Sequence, residues 1–234
     1  MAAILRPRFY QAIALALGLL VLVGFARTFY LRQWFAVPPI TMLLQLHGIV
    51  FTAWFVLFVI QTRLIAANKV RTHRQLGIAG IVVAALVFAL GLATAIESAS
   101  APRMRPMGMN SQQFVFVPLF AITLFAALVA AAVVYRRRAD VHRRLMMLAM
   151  IAVLGPPVAR LIMLFDIGKH FLLVQTLVPA VFVAGCLLND RVKHRVVHPI
   201  YAIGGALLVL SWPARVAIAH TSAWEHAGQW LASL

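Results

Sequence analysis

Residues 76–98 read LGIAGIVVAALVFALGLATAIES, an apolar run in which Glu97 is the single charged residue. One α-helix needs about 20 apolar residues to cross the hydrocarbon part of a bilayer. This run is continuously apolar, whereas a strand of a membrane barrel alternates in hydropathy over about 10 residues. The stretch therefore predicts a membrane-spanning helix.

Six further runs have the same character. Apolar residues make up 64% of the 234 residues, charged residues make up 11%, and the mean hydropathy is +0.95. A soluble domain of this length has too little interior to bury so much apolar surface. We expect one all-α integral membrane domain over residues 1–234, with an interfacial tail at 220–234. Its seven spans are predicted at 10–30, 39–66, 76–98, 113–135, 143–165, 171–188 and 199–219.

The distribution of basic residues predicts how the helices are oriented. The first helix is expected to be followed by three helical hairpins whose inner turns lie on the side of the N-terminus. That side holds 14 of the 21 basic residues, and short loops rich in Lys and Arg remain cytoplasmic. The N-terminus is therefore predicted inside and the C-terminus outside. The 14 residues are Arg6, Arg8, Arg63, Lys69, Arg71, Arg74, Arg136, Arg137, Arg138, Arg143, Arg144, Arg191, Lys193 and Arg195.

Composition and motifs exclude several classes of protein. The net charge of +16 comes from short loops beside apolar spans, where anionic lipid headgroups explain it, so no nucleic-acid partner is expected. The single Cys186 allows neither a disulfide framework nor a CxxC pair. No phosphate-binding loop, nucleophile elbow or HExxH motif occurs, and the sequence leaves open whether the protein is an enzyme.

A short sequence motif recurs at the basic turns, as HRQL at 73–76 and HRRL at 142–145. A third histidine, His198, opens the last span. The three histidines are expected at one depth on one face, and an open set of three imidazoles is typical of a site for Zn, Cu or Fe. Asp140 and Asp190 are close enough in sequence to accept hydrogen bonds from these rings. The alternative is that the histidines cap helix starts or meet lipid phosphates.

A different histidine, His47, lies within the second span, roughly 12 Å from its outer end at 1.5 Å per residue. This depth separates it from the histidines at the basic turns. His47 is a candidate axial ligand for haem b, which would need a second ligand at matching depth on another helix.

Ionisable residues inside the outer halves of the spans form the second candidate site. Such residues are costly in a membrane and usually functional. Two arginines can present planar donor groups to a small anion, and bends at Pro157 and Pro213 could open a cavity there. The alternative is that the residues pair with each other. The predicted ligand-binding residues are Glu97, Arg160, Asp166 and Arg215.

Motifs in the first two hairpins are similar to those of known membrane proteins. His47, Gln61 and residues 71–77 (RTHRQLG) resemble a group of uncharacterised bacterial multi-pass inner-membrane proteins with an R-x-HR-x-LG signature. Residues 142–146 (HRRLM) are similar to small histidine-bearing proteins linked with respiratory oxidases. The resemblance covers roughly residues 40–165. It implies a bacterial inner-membrane protein with a redox or metal connection. In such a membrane, the outside C-terminus that the basic residues predict is periplasmic.

These observations lead to three hypotheses of function. The first is a protein that binds a transition metal or haem through histidine. The second is a carrier or receptor for a small anionic or lipid-like ligand in a cavity lined by arginines. The third is an accessory subunit of a membrane complex, and a homo-oligomer is a further partner hypothesis.

Overall fold

The computed structural model describes residues 8–100 and 105–233. The fold is 85% helix, and the described residues contain no strand. Within them, seven helical segments are long and apolar enough to cross a bilayer, which confirms the predicted class and number of spans. They are residues 9–30, 42–66, 70–97, 111–134, 139–164, 168–193 and 200–219. Arg6, counted above among the basic residues, lies outside the described residues.

In the described part of the chain, ten α-helices build these segments and the tail. In chain order they are α1 Arg8–Phe25, α2 Met42–Ala66, α3 Val70–Glu97, α4 Ser111–Phe114, α5 Phe116–Val134, α6 Ala139–Ala152, α7 Gly155–Leu164, α8 Phe171–His194, α9 Gly205–Ala219 and α10 Ser222–Ala232. A π-helical turn follows α1 at Ala26–Tyr30, and another precedes α9 at Ile200–Gly204.

The chain divides into two compact units, residues 1–90 and residues 91–234, with the division inside α3. In the first unit, α1 and its π-helical turn pack on α2, where the ring of Phe29 lies against Gly48. The hydroxyl groups of Tyr30 and Thr52 lie 2.8 Å apart. The amide of Gln61 on α2 donates to the backbone carbonyl of His73 on α3 at 3.2 Å, which ties this hairpin together beside its basic turn.

The fifth span, α6 with α7, is the most buried segment of the second unit. Within its apolar window 67% of residues are buried, against 17–28% for the other six spans. Met147, Leu148 and Met150 on α6 are almost completely enclosed. The fifth span is therefore the helix around which this unit packs. On the surrounding spans, apolar side chains such as Leu207 on α9 are exposed.

The fifth span is interrupted where its prolines fall. α6 ends at Ala152 and α7 begins at Gly155, with Pro156 and Pro157 in the first turn of α7. Proline lacks a backbone N–H, and its fixed φ suits the first turn of a helix, so it interrupts the first helix and begins the second. α9 is continuous through Pro213.

The tail forms a helix, α10, that packs within the second unit. Thr221 caps its N-terminus by accepting from the backbone N–H of Trp224 at 3.3 Å. The indole N–H of Trp224 donates to the carbonyl of Gln112 at 3.1 Å, and its ring meets that of Phe116 with centroids 4.6 Å apart. The tail was predicted as an interfacial segment, and these contacts bring it onto α4 and the start of α5.

Candidate functional site

A buried ion pair lies at the basic-turn end of the second unit. The guanidinium of Arg144 on α6 donates from Nε and Nη2 to the two carboxylate oxygens of Asp190 on α8, at 2.9 and 2.8 Å. The side chains are 4% and 0% exposed. A third donor, Nη1, reaches the carbonyl of Asp140 at 2.8 Å. This paired geometry gives the strongest form of a charged hydrogen bond, and it links helices from two hairpins.

His198 is held beside this pair by three polar contacts. Its backbone N–H donates to Asp190 Oδ2 at 3.2 Å. Its Nδ1 accepts the backbone N–H of Ile200 at 3.2 Å. Its Nε2 lies 3.6 Å from Asp140 Oδ2. His198 therefore acts in this structure as a helix-start cap whose other nitrogen faces a carboxylate.

The π-helical turn at Ile200–Gly204 places Tyr201 against the ion pair. Tyr201 is completely buried, and its ring centroid is 5.6 Å from the guanidinium carbon of Arg144. An open pocket of about 340 Å³ lies alongside, lined by Asp140, Arg143, Arg144, Val196, His198 and Pro199. Sequence reasoning identified Asp190 and His198 here, but it missed their connection to Arg144.

The other histidine predicted here, His142, binds the preceding helix. Its Nδ1 lies 2.8 Å from the carbonyl of Ala132 on α5, which joins the two helices across the turn containing Arg136, Arg137 and Arg138. No group of three His, Cys, Asp or Glu side chains has a metal-binding arrangement in residues 8–100 and 105–233. His142 and His198 each use Nδ1 for a backbone contact.

The remaining two histidines of the predicted cofactor sites belong to the first unit. His47 on α2 is half-buried, and its ring centroid is 5.3 Å from that of Phe51 on the same helix. His73 is half-buried in the first turn of α3, where its carbonyl accepts from Gln61.

The histidine-bound cofactor stays a prediction that one preparation can test. Absorbance spectroscopy and elemental analysis of protein purified in mild detergent, without added metal or chelator, are the measurements. A haem on His47 is expected to give a Soret band that is lost in His47→Ala. A metal on His73, His142 and His198 is expected to give stoichiometric Zn, Cu or Fe without that band. A colourless, metal-free and fully folded preparation contradicts both forms.

The opposite end of the last span contains a buried, isolated charge. Arg215 on α9 is only 1% exposed. Its Nη2 donates to the hydroxyl of Ser211 at 2.7 Å, and that hydroxyl donates in turn to the carbonyl of Leu208 at 2.6 Å. The guanidinium carbon lies 4.6 Å from the ring centroid of Phe120 and 5.0 Å from that of Trp212. The donors Nε and Nη1 are buried and have no hydrogen-bond partner in the described structure.

None of the five side-chain carboxylates of the chain pairs with Arg215 in the described structure. Asp190 is bound to Arg144. None of the others comes within ion-pair distance of Arg215 in the part of the chain that the structure describes; these are Glu97, Asp140, Asp166 and Glu225.

The rest of the predicted anion site is more exposed than Arg215. The side chains of Glu97 and Asp166 are exposed, and Arg160 is half-buried with Nη1 donating to the carbonyl of Pro156 at 3.2 Å. Sequence reasoning missed Gln175, a buried amide that donates to the carbonyl of Gly155 at 3.0 Å. Gln175 is visible in the sequence as a polar residue inside the apolar run of α8, whereas the predicted site contains ionisable residues alone.

Comparisons of the chain with protein-family models, with curated proteins and with solved structures each find no match. The function is therefore argued from the residues and their geometry.

Proposed function

We propose that this multi-pass membrane protein is a carrier or receptor that binds a small anion inside its second unit, at Arg215. The observation that carries the proposal is a guanidinium that is 1% exposed, with two donors lacking partners and no carboxylate paired with it among the described residues. An ionised side chain inside a membrane segment is costly and normally faces a partner or a pathway. The described part of the chain supplies no negative partner, so the proposed ligand supplies it.

The contacts of Arg215 within the protein offset the cost of burying it, but all of them are with neutral groups. Removing an ion from water costs several kcal/mol even after relaxation. Stacking on an aromatic ring returns about 0.5–2 kcal/mol, and a hydrogen bond to a charged group returns roughly 1.5–3 kcal/mol. Phe120, Trp212 and Ser211 therefore hold the guanidinium in place, but they do not neutralise it. An anion would supply both the missing charge and the missing acceptors.

Replacing Arg215 by methionine is expected to abolish anion binding without unfolding the protein. Methionine keeps the length of the side chain and removes a buried charge, so the ligand-free variant should be at least as stable as the wild type. The measurement is thermal unfolding of the full chain in mild detergent, with and without acetate, propionate, lactate or inorganic phosphate. A ligand at about 100 times its Kd stabilises the folded state by roughly 2.7 kcal/mol.

The matched control is Arg136→Met. Arg136 is an exposed residue of a basic turn, and its Nη1 donates only to the nearby carbonyl of Val133. This variant should keep the wild-type response to each anion. Arg215→Lys keeps the charge but loses the planar donor group, so a partial response is expected. An Arg215→Met protein that is still stabilised as strongly as the wild type contradicts the proposal.

A further inference from the structure

A second buried polar group near Arg215 has an atom without a partner. Gln175 on α8 is 1% exposed. Its Nε2 donates to the carbonyl of Gly155 at 3.0 Å, and this contact fixes which end of the amide is nitrogen, because a carbonyl cannot accept from the amide oxygen. The oxygen, Oε1, is buried and has no hydrogen-bond partner in the described structure. Leaving a buried acceptor unsatisfied is unfavourable.

Trp212 packs against Arg215, and Gly155 lies between its indole and Gln175. A Cβ built on Gly155 would lie 2.8 Å from Trp212 Cζ2 and 4.0 Å from Gln175 Oε1, so the indole edge and the amide oxygen flank the same backbone position. The guanidinium carbon of Arg215 is 5.0 Å from the ring centroid of Trp212. The neighbourhood of one indole therefore contains unpaired donors on Arg215 and an unpaired acceptor on Gln175.

These two groups restrict the chemistry of a ligand that would satisfy both. Arg215 is a single cation without a counter-charge, so it balances one negative charge, as a carboxylate carries; a phosphate monoester carries about −1.5 to −2 at neutral pH. The amide oxygen of Gln175 accepts only, so it needs a donor on the ligand. An ammonium donor would cancel the ligand's negative charge, whereas a hydroxyl group would not.

We propose, on the basis of the anion site described above, that the ligand is a small monoanionic hydroxycarboxylate. Its carboxylate binds Arg215, and its hydroxyl group donates to Oε1 of Gln175. The Ser211 hydroxyl has no donor left for the ligand's carboxylate, because its hydrogen already goes to the carbonyl of Leu208. Gln175 is then the residue that determines specificity, and Arg215 is the residue that provides affinity.

The test compares three acids with the same three-carbon skeleton: lactate, propionate and alanine. Binding is measured from the thermal stabilisation of the full chain in detergent as each concentration is raised. A site built to hydrogen-bond a hydroxyl group discriminates strongly against the analogue that lacks it. The wild type should bind lactate at least ~10-fold more tightly than propionate. Alanine should bind more weakly than lactate.

Gln175→Met should remove this preference. Methionine has a similar shape and no strong acceptor, so the affinity for lactate should fall to that for propionate, while propionate binding stays within about 2-fold of wild type. The control is Thr176→Val on the same helix, since the Thr176 hydroxyl donates only to the carbonyl of Leu172 at 2.8 Å. This variant should keep the preference for lactate.

The outcomes separate the two proposals. Equal binding of lactate and propionate by the wild type, lost in Arg215→Met, overturns the hydroxycarboxylate inference and leaves the anion site standing. The hydroxycarboxylate inference is likewise overturned if Gln175→Met weakens the binding of both acids equally. If Arg215→Met leaves the binding of the acids unchanged, or the wild type binds none of the anions, the anion site itself is contradicted. The comparison of lactate, propionate and alanine is made on the wild-type protein, so it gives a result even if a variant does not fold.

Discussion

Replacing Asp190 by asparagine is expected to lower the free energy of unfolding by about 3–5 kcal/mol. The asparagine keeps the shape of the side chain but removes the charge that balances Arg144, which is 3% exposed. The two donors of Arg144 and the backbone N–H of His198 all point at this carboxylate. The cost therefore reflects an uncompensated buried cation together with weakened hydrogen bonds. Chemical unfolding in detergent micelles measures it.

The same exchange at Asp166 provides a matched control. Asp166 is exposed and its φ is +52°, a left-handed conformation that asparagine also tolerates. Asp166→Asn should therefore change stability by less than about 0.5 kcal/mol. A double variant, Arg144→Met with Asp190→Leu, removes both charges and should recover most of the loss. If Asp190→Asn unfolds at the same denaturant concentration as wild type, the ion pair is not a structural element of this unit.

Replacing Gly155 by alanine is expected to weaken both stability and ligand binding. The new Cβ would lie 2.8 Å from Cζ2 and 3.1 Å from Cη2 of Trp212, a ring that is 4% exposed and packed against Arg215. Overpacking of this kind costs typically 1–3 kcal/mol. Since the indole must move, the affinity for a bound carboxylate should fall at least ~10-fold, as small misplacements at a binding site do.

Gly185→Ala separates this steric effect from the general effect of adding a methyl group. Gly185 lies in α8, and a Cβ built there meets nothing within 4 Å. Alanine is a better helix former than glycine by roughly 0.5–1 kcal/mol, so this variant should be slightly stabilised and bind normally. Thermal unfolding and lactate titration of both variants provide the comparison. Normal binding by Gly155→Ala would mean that the position of Trp212 does not matter to the site.

The three histidines at the basic turns have similar positions in the sequence but different surroundings in the structure. Two residues after His142 stands Arg144, the buried partner of Asp190. Two residues after His73 stands Gln75, which is exposed. Two residues after His198 stands Ile200, whose backbone N–H donates to Nδ1 of the histidine ring. The position of each histidine therefore indicates the start of a helix, while the contacts of the neighbouring residues depend on which helix packs against that start.

The prediction of the anion site depended on the positions of ionisable residues in apolar spans, which can be read directly from the sequence. Ionisable residues in apolar spans are rare, and Arg215 was identified on that basis. Gln175 is visible in the same way as a polar residue in an apolar run, but its role and that of Gly155 arise from contacts across 20 residues. Neither the hydrogen bond between α7 and α8 nor the packing of an indole from α9 can be recognised from a short stretch of sequence.

The sequence by itself determined the class of this protein. Hydropathy is a local property, so seven apolar runs predict seven helices able to span a membrane, and the composition excludes a soluble core. Only the tertiary structure decided which charges are paired. Arg144 and Asp190 are 46 residues apart, and Arg215 is buried without any such partner among the described residues. Both facts result from helix packing, which places side chains from separate hairpins next to each other and which local periodicity does not encode.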